Sequence, residues 1–157
     1  MRRRSSGVLM HITSLPGKQG IGTFGKSAYD FVDFLEETQQ TYWQLLPLTT
    51  TSYGDSPYQS FSAVAGNLNL IDFNLLEEEG LLEKVDYEGV NFGDNPEKVD
   101  YGLLFDARRP ILEKAVANVV KSDKVLAEIE KFEKENASWL VDYAEYMAIK
   151  ESFGYQS

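Results

Sequence analysis

The sequence predicts an α/β fold from three successive patterns near its start. Residues 7–12 (GVLMHI) form a short apolar run, which is typical of a buried strand. Residues 26–38 carry apolar side chains at helical spacing, and residues 42–48 (YWQLLPL) are apolar again. A second run that starts 35 positions after the first has the spacing of a βαβ unit, so we expect two parallel strands.

The helix prediction rests on four apolar positions at i, i+3, i+4 and i+7, with acidic residues on the other faces. These positions are Ala28, Phe31, Val32 and Leu35. In the second strand Pro47 would remove a ladder hydrogen bond, so we place it at the last hydrogen-bonded position or just beyond it.

The rest of the chain is predicted to be mainly helical. Residues 68–73 (LNLIDF) suggest a short extended piece, and LLEEEGLL suggests two helical turns that end at Gly80. Residues 83–102 are polar and irregular. Apolar stripes then predict three helices, on Ile111, Ala115 and Val119, on Val125, Ile129 and Phe132, and on Trp139, Tyr143, Tyr146, Met147 and Lys150. We expect Asn136 to be an N-cap and Gly154 a C′ residue.

Two strands alone do not make a stable sheet. Either the helices form a bundle against a minimal sheet, or the chain is the beginning of something larger. A complete (β/α)₈ barrel takes about 250 residues, so 157 residues could supply its first units and an insertion.

Composition narrows the range of partners. A formal net charge of −10 disfavours nucleic acid and anionic membranes. The sequence contains no cysteine, which excludes disulfides and thiolate chemistry and fits a reducing compartment. No run approaches the roughly 20 apolar residues of a membrane span, and the basic start MRRRSS lacks the features of a secretory signal, so we expect a cytoplasmic protein.

The glycines at 20, 22 and 25 form a literal G-x-G-x-x-G between a predicted strand and a predicted helix. A dinucleotide site would use them to approach a pyrophosphate. However, seven residues separate the motif from the strand, and positions 38–54 contain no acid to bind a ribose. We therefore interpret it as a turn that directs the helix. We interpret His11, the only histidine, as a hydrogen-bonded structural residue, and we assign no catalytic carboxylate pair and no metal site.

Residues 49–67 form a long connection without periodicity, which we name the 49–67 loop. Loops of this length are uncommon in compact domains and are usually functional or disordered. Its tyrosines, serines, amides and single aspartate suit a sugar, because an aromatic ring covers the apolar face of a pyranose while polar groups engage its hydroxyls. The alternative is an ordered turn with the tyrosines in the core, and composition leaves both interpretations open.

Four segments together carry a family resemblance. GVLMHITSLPG, GIGTFG, YWQLLPL and SYGDSPYQSFSAVAGN resemble the N-terminus of the 4-α-glucanotransferases (amylomaltases or disproportionating enzymes), which belong to a clan of (β/α)₈-barrel glycoside hydrolases. The resemblance is dense from residue 6 to about 73 and looser through residues 99–102 and 139–150. It implies the N-terminal part of such a barrel: residues 1–74 supply its first βα units and the glucan-binding loop, and residues 75–157 a mainly helical insertion.

The resemblance also implies a function. The family transfers α-1,4-glucan segments to a sugar acceptor with retention of configuration, which requires a carboxylate nucleophile and an acid/base. In the family these lie on later strands, so no residue here inherits a catalytic role, and the chain alone is expected to be inactive. Tyr58 matches a tyrosine that packs beside the sugar, and Ser56 a neighbouring polar contact. Asp55 either contacts the sugar or holds the loop, and Tyr53 matches an aromatic of a second glucan site in some members.

The expected partners are maltooligosaccharides and other α-1,4-glucans, with no cofactor, no nucleic acid and no membrane. Two alternative functions remain at this stage. One is a non-catalytic glucan-binding fragment, and the other is a dinucleotide-binding oxidoreductase domain.

Overall fold

The computed structural model describes residues 4–52 and 54–155. Strand β1 (Gly7–Leu9), helix α1 (Lys26–Glu37) and strand β2 (Tyr42–Gln44) follow one another near the start. The strands pair in parallel, with Gly7 opposite Tyr42 and Leu9 opposite Gln44. The predicted βαβ unit is therefore confirmed, and the carboxyl ends of both strands lie at one edge of the sheet.

Both strands are shorter than the apolar runs that predicted them. The Met10 N–H still donates to the Gln44 carbonyl at 3.2 Å, but the chain then winds into a 3₁₀ turn at Ile12–Ser14. Ile12 is buried in this turn. Pro47 lies beyond β2, as its missing N–H requires.

Helix α1 covers the predicted residues, and one side of its apolar stripe enters the core. Ala28 and Leu35 are buried, whereas Val32 is 48% exposed. Val32 lies instead beside Tyr42 along a groove at the edge of β2. The main core consists of Ile12, Leu15, Ala28 and Leu70, with Met10, Phe31, Trp43, Leu45 and Leu48 packed against it.

The extended piece predicted for residues 68–73 is wrong. Residues Leu68–Leu70 form a 3₁₀ turn, because the Asn67 side chain accepts from the Asn69 N–H at 2.9 Å and the Asn67 carbonyl accepts from the Leu70 N–H at 3.0 Å. A local asparagine turn thus overrides the apolar alternation.

Helix α2 (Phe73–Glu78) follows, and both of its ends are fixed by single residues. The Asp72 carboxylate caps it by accepting from the Asn74 and Leu75 N–H groups at 2.9 and 3.3 Å. Gly80 ends it with φ +74°, and its N–H donates to the Glu77 carbonyl. The stop predicted at Gly80 is confirmed.

Helix α3 (Tyr101–Val119) contains Pro110 and buries Leu104, Arg108, Ile111 and Ala115. A short 3₁₀ turn at Lys84–Asp86 interrupts the irregular segment that precedes it. Asp100 accepts from the Leu103 N–H at 3.0 Å and so marks the start of the helix.

Two further helices, α4 (Asp123–Glu135) and α5 (Leu140–Ser152), agree with the predicted stripes. Asn136 ends α4 as its C-cap, so the expected N-cap role is wrong. Its amide donates to the Phe132 carbonyl at 2.9 Å, and its side-chain oxygen accepts from the Trp139 ring N–H at 3.0 Å. Gly154 has φ +64° and follows Phe153, the C-cap of α5, so the predicted C′ role is confirmed.

The chain divides into two compact units, Met1–Val116 and Ala117–Ser157. The first contains the sheet, α1, α2 and most of α3, and the second contains α4 and α5. The functional division at residues 74 and 75 stays a prediction. Within the described ranges, no helix is long and apolar enough to cross a membrane.

Candidate functional site

Backbone pairing closes the base of the 49–67 loop. Thr49 and Gly66 form an antiparallel bridge. On either side of it the Asn67 N–H donates to the Leu48 carbonyl at 3.0 Å, and the Thr50 N–H donates to the Ala65 carbonyl at 3.1 Å. The loop leaves the carboxyl end of β2, the edge at which parallel α/β folds assemble binding sites.

Nested turns shape the tip of this loop. The Asp55 N–H donates to the Ser52 carbonyl at 3.0 Å, and the Ser52 N–H donates to the Gln59 carbonyl at 2.8 Å. Gly54 and Asp55 have φ of +92° and +55°. Aspartate is one of the few residues with a side chain that tolerates this left-handed conformation, so Asp55 contributes to the turn through its backbone.

Several hydroxyl groups expected to face a ligand are used inside the loop. The Ser60 hydroxyl lies 3.2 Å from that of Thr50 and donates to the Ser62 carbonyl at 2.5 Å. The Ser62 hydroxyl accepts from the Ala65 N–H at 3.0 Å. These serines hold the loop in shape, so the polar groups left for a ligand are fewer than the composition suggests.

The predicted site residues differ in how far they are exposed to solvent. Tyr58 is 73% exposed, which excludes a core role for that ring. Ser56 is half-buried, and its hydroxyl oxygen lies 3.4 Å from the Tyr58 N–H, which donates to it. Tyr53 lies outside the described residues. Tyr58 and Ser56 are therefore adjacent, with the aromatic ring open to solvent.

Asp55 is half-buried, and its carboxyl group interacts with Thr51 and Tyr101. Burial raises the pKa of the Asp55 carboxyl, and a hydrogen bond with the Thr51 side chain offsets part of this rise. Burial and, to a lesser extent, the charge of Asp55 raise the pKa of the Tyr101 hydroxyl. Tyr101, the first residue of α3, therefore lies near the loop tip, although the sequence assigned it to irregular chain.

The Asp72 carboxylate occupies the space beside Gly25, the last glycine of the G-x-G-x-x-G motif. Gly25 is the N-cap of α1, and a Cβ atom there would lie 2.1 Å from an Asp72 carboxylate oxygen. A Cβ atom on Gly22 would lie 1.9 Å from the Ile12 carbonyl oxygen. Gly22 and Gly25 therefore allow close packing before and at the start of α1, and Asp72 occupies space that a dinucleotide phosphate would need.

Asp72 belongs to a buried polar cluster that joins distant parts of the chain. Its carboxylate accepts from the Gln19 amide at 3.2 Å and from the Thr23 hydroxyl at 2.5 Å. Arg108, only 1% exposed, donates to the Gln19 and Ile71 carbonyls at 3.2 and 2.5 Å. Burial lowers the pKa of Arg108 to about 10, against the opposing effect of the Asp72 charge.

Comparison with known proteins decides the family. The sequence matches the profile described as 4-alpha-glucanotransferase over residues 10–157. The chain belongs to the 4-alpha-glucanotransferase family. The dinucleotide-binding alternative is therefore wrong.

Individual relatives agree with this assignment. The 4-alpha-glucanotransferase of Streptococcus pneumoniae serotype 4 is 61% identical over 153 residues, which cover 98% of this chain and 30% of that protein. The Thermus thermophilus 4-alpha-glucanotransferase is 45% identical over 153 residues, covering 96% of this chain and 30% of that protein. An amylomaltase from Streptococcus agalactiae, solved in complex with acarbose, superposes with a TM-score of 0.94 at 61% identity. That match covers 99% of this chain and 31% of the amylomaltase.

The chain thus spans about a third of the length of the glucanotransferases that it matches. In residues 4–52 and 54–155 no group of three His, Asp or Glu side chains could hold a metal ion. A groove of about 290 Å³ lies beside Val32 and Tyr42, and one of about 360 Å³ runs along β1 from Ser5 to Leu9. Both lie along the edges of the sheet, and neither is lined by a residue of the 49–67 loop.

Proposed function

We propose that this chain supplies glucan-binding elements to a 4-alpha-glucanotransferase that transfers α-1,4-glucan segments between maltooligosaccharides. The observation that carries the proposal is the exposed Tyr58 ring, on a loop that follows β2 and is closed by the bridge between Thr49 and Gly66. The acarbose bound by the Streptococcus agalactiae amylomaltase supports a sugar ligand. Membership of the family supports the reaction.

In the proposed mode of binding, the Tyr58 ring packs on the apolar face of a glucose unit. The Ser56 hydroxyl and the Asp55 carboxylate belong to consecutive residues of the loop and engage neighbouring sugar hydroxyls. Tyr53 is proposed as an aromatic contact of a second glucan site. Hydrogen bonds within the loop serve this purpose, because conformational entropy that is lost on folding is not lost again on binding.

The chemistry of the proposed reaction comes from elsewhere in the enzyme. A retaining transfer needs a carboxylate that forms a glycosyl-enzyme intermediate and a second carboxyl that acts first as acid and then as base. We assign neither role to a residue of this chain. The architecture that we propose is the first βα units of a (β/α)₈ barrel in residues 1–74, with residues 75–157 as a helical insertion. The cysteine-free composition supports a cytoplasmic location.

A substitution at Tyr58 tests the glucan contact in the protein as it is naturally expressed. We expect Tyr58→Ala to raise the Kd for maltoheptaose about tenfold, which corresponds to ~1.4 kcal/mol, and Tyr58→Phe to retain most of the affinity. Tyr29→Ala is the matched control, because Tyr29 is a similarly exposed tyrosine (64%) on α1. Equal affinities for wild type, Tyr58→Ala and Tyr29→Ala in titration calorimetry would contradict the proposed contact.

An activity assay separates transfer from binding alone. The naturally expressed protein is expected to convert maltotriose into glucose and longer oligomers, whereas residues 1–157 alone are expected to leave it unchanged. Glucan binding without transfer by the naturally expressed protein would support the alternative of a non-catalytic glucan-binding protein. Release of glucose by residues 1–157 would show that the nucleophile lies within them.

A further inference from the structure

His11 occupies a fixed position at the carboxyl end of β1. Before it, the Met10 N–H donates to Gln44 and the Met10 carbonyl accepts from the Trp43 ring N–H at 2.7 Å. The His11 carbonyl itself accepts from the Ser14 N–H at 3.0 Å, and Ile12 beyond it is buried. Because the backbone is held on both sides, the place from which the imidazole ring projects is fixed.

The two ring nitrogens of His11 have different environments. Nδ1 is buried and has no hydrogen-bond partner among the described residues. The ring as a whole is only partly buried, so Nε2 is the nitrogen that solvent can reach. Burial lowers the pKa of His11 below its ordinary value of 6.5, and the ring is therefore neutral at neutral pH. The structural, hydrogen-bonded role expected for this histidine is not what the described contacts show.

The contacts favour one tautomer. A neutral imidazole carries one N–H donor and one bare acceptor nitrogen. An N–H at Nδ1 would be buried without an acceptor among the described residues, whereas an N–H at Nε2 can donate to water or a ligand, so we infer that the proton is on Nε2. A histidine with only a structural role would be expected to have a hydrogen-bond partner for its buried nitrogen. In His11 the nitrogen without burial, Nε2, is the one that is open to solvent.

We propose that His11 is a further substrate-binding residue, whose Nε2–H donates a hydrogen bond to a hydroxyl of the glucan that contacts the 49–67 loop. β1 and β2 are parallel neighbours, so His11 and the loop leave the same edge of the sheet. A neutral donor suits a neutral ligand rich in hydroxyl oxygens. This inference rests on the proposed function.

A matched pair of amide substitutions tests the inference in the naturally expressed protein. Glutamine can place its amide N–H close to the position of Nε2, whereas asparagine carries the same group on a side chain one methylene shorter. We expect His11→Gln to hold the Kd for maltoheptaose within about twofold of wild type, and His11→Asn to raise it about tenfold. Both variants are expected to keep the thermal midpoint of wild type, so the difference between them reports the reach of the donor.

Tyr58→Ala, measured in the same titrations, distinguishes failure of this inference from failure of the proposed function. If wild type binds maltoheptaose and Tyr58→Ala weakens binding while His11→Asn does not, the role of His11 is overturned and the proposed function stands. If His11→Asn and His11→Gln lose affinity equally together with thermal stability, a structural role replaces the proposed contact. If wild type binds no maltoheptaose, both proposals fail.

Discussion

The contact between Gly25 and Asp72 permits a quantitative test of how the glycine motif is used. A methyl group on Gly25 would lie 2.1 Å from the carboxylate oxygen, so that oxygen must retreat by about 1.3 Å to reach an ordinary contact of 3.4 Å. The same oxygen accepts from Thr23 at 2.5 Å and from Gln19 at 3.2 Å. Gly25→Ala is therefore expected to break both hydrogen bonds.

The magnitudes follow from the bonds involved. The two buried partners left unsatisfied by Gly25→Ala cost roughly 1 kcal/mol each, so the variant loses about 2 kcal/mol. Asp72→Ala loses the same two bonds and also the cap of α2, which adds ~1 kcal/mol. In the Asp72→Ala background the clashing atoms are gone, and Gly25 has φ −89°, which alanine adopts without strain. Gly25→Ala should then cost less than ~1 kcal/mol.

The assay is a double-mutant cycle measured by urea unfolding with circular dichroism. The double variant is expected to be more stable than the sum of the single effects predicts, by ~1–2 kcal/mol, at an unchanged denaturant slope. Asp72→Asn is the matched control, because its amide oxygen can still cap α2 while its NH₂ group cannot accept from Gln19. If the effects of Gly25→Ala and Asp72→Ala add to within about 0.5 kcal/mol, the steric explanation is refuted.

Two further variants address the other buried polar groups. Arg108→Met is expected to destabilise the protein by about 3–5 kcal/mol, because it leaves two buried carbonyls without their donor and removes the positive charge near Asp72. Arg108→Lys keeps the charge and should cost less. Equal urea midpoints for Arg108→Met and wild type would contradict this prediction. The pKa of His11 is lower in the folded state, so its stabilising contribution is complete above pH 6.5 and is lost as the pH falls through the lower folded pKa. As the pH falls below 6.5, wild type should therefore lose more stability than His11→Gln, and parallel pH profiles of the thermal midpoint would exclude this effect.

Local signals in the sequence predicted the elements that depend on local physics. The stripe of α1 and the 35-residue spacing of the strands were sufficient for the βαβ unit. Gly80 and Gly154 were identifiable as helix ends because a left-handed residue is needed there and glycine adopts it without strain. Asn136 was harder to place, because an asparagine side chain can cap either end of a helix or bond a neighbouring ring, and here it bonds Trp139.

The buried polar cluster could not be predicted, because its members are far apart in sequence. Gln19 and Asp72 are separated by 53 residues, and Gln19 and Arg108 by 89. No window of local periodicity covers such a distance, and a charged residue within a helical pattern normally indicates a solvated face. One local clue existed, since Asp72 directly precedes the apolar start of α2 and is a favoured N-cap residue.

For the candidate site, the composition identified the loop, but only the geometry distinguishes the roles of its side chains. The sequence singled out the 49–67 loop because it was long and rich in polar and aromatic side chains. Only the hydrogen bonds show that Ser60 and Ser62 are committed to the loop itself, while Tyr58 is left exposed. The Asp72 carboxylate also occupies the space beside Gly25, in the motif whose sequence resembled a phosphate-binding turn. Because Ser60 and Ser62 are bonded within the loop, the exposed Tyr58 ring is the group on which the proposed glucan contact depends most, and Tyr58→Ala is therefore its most direct test.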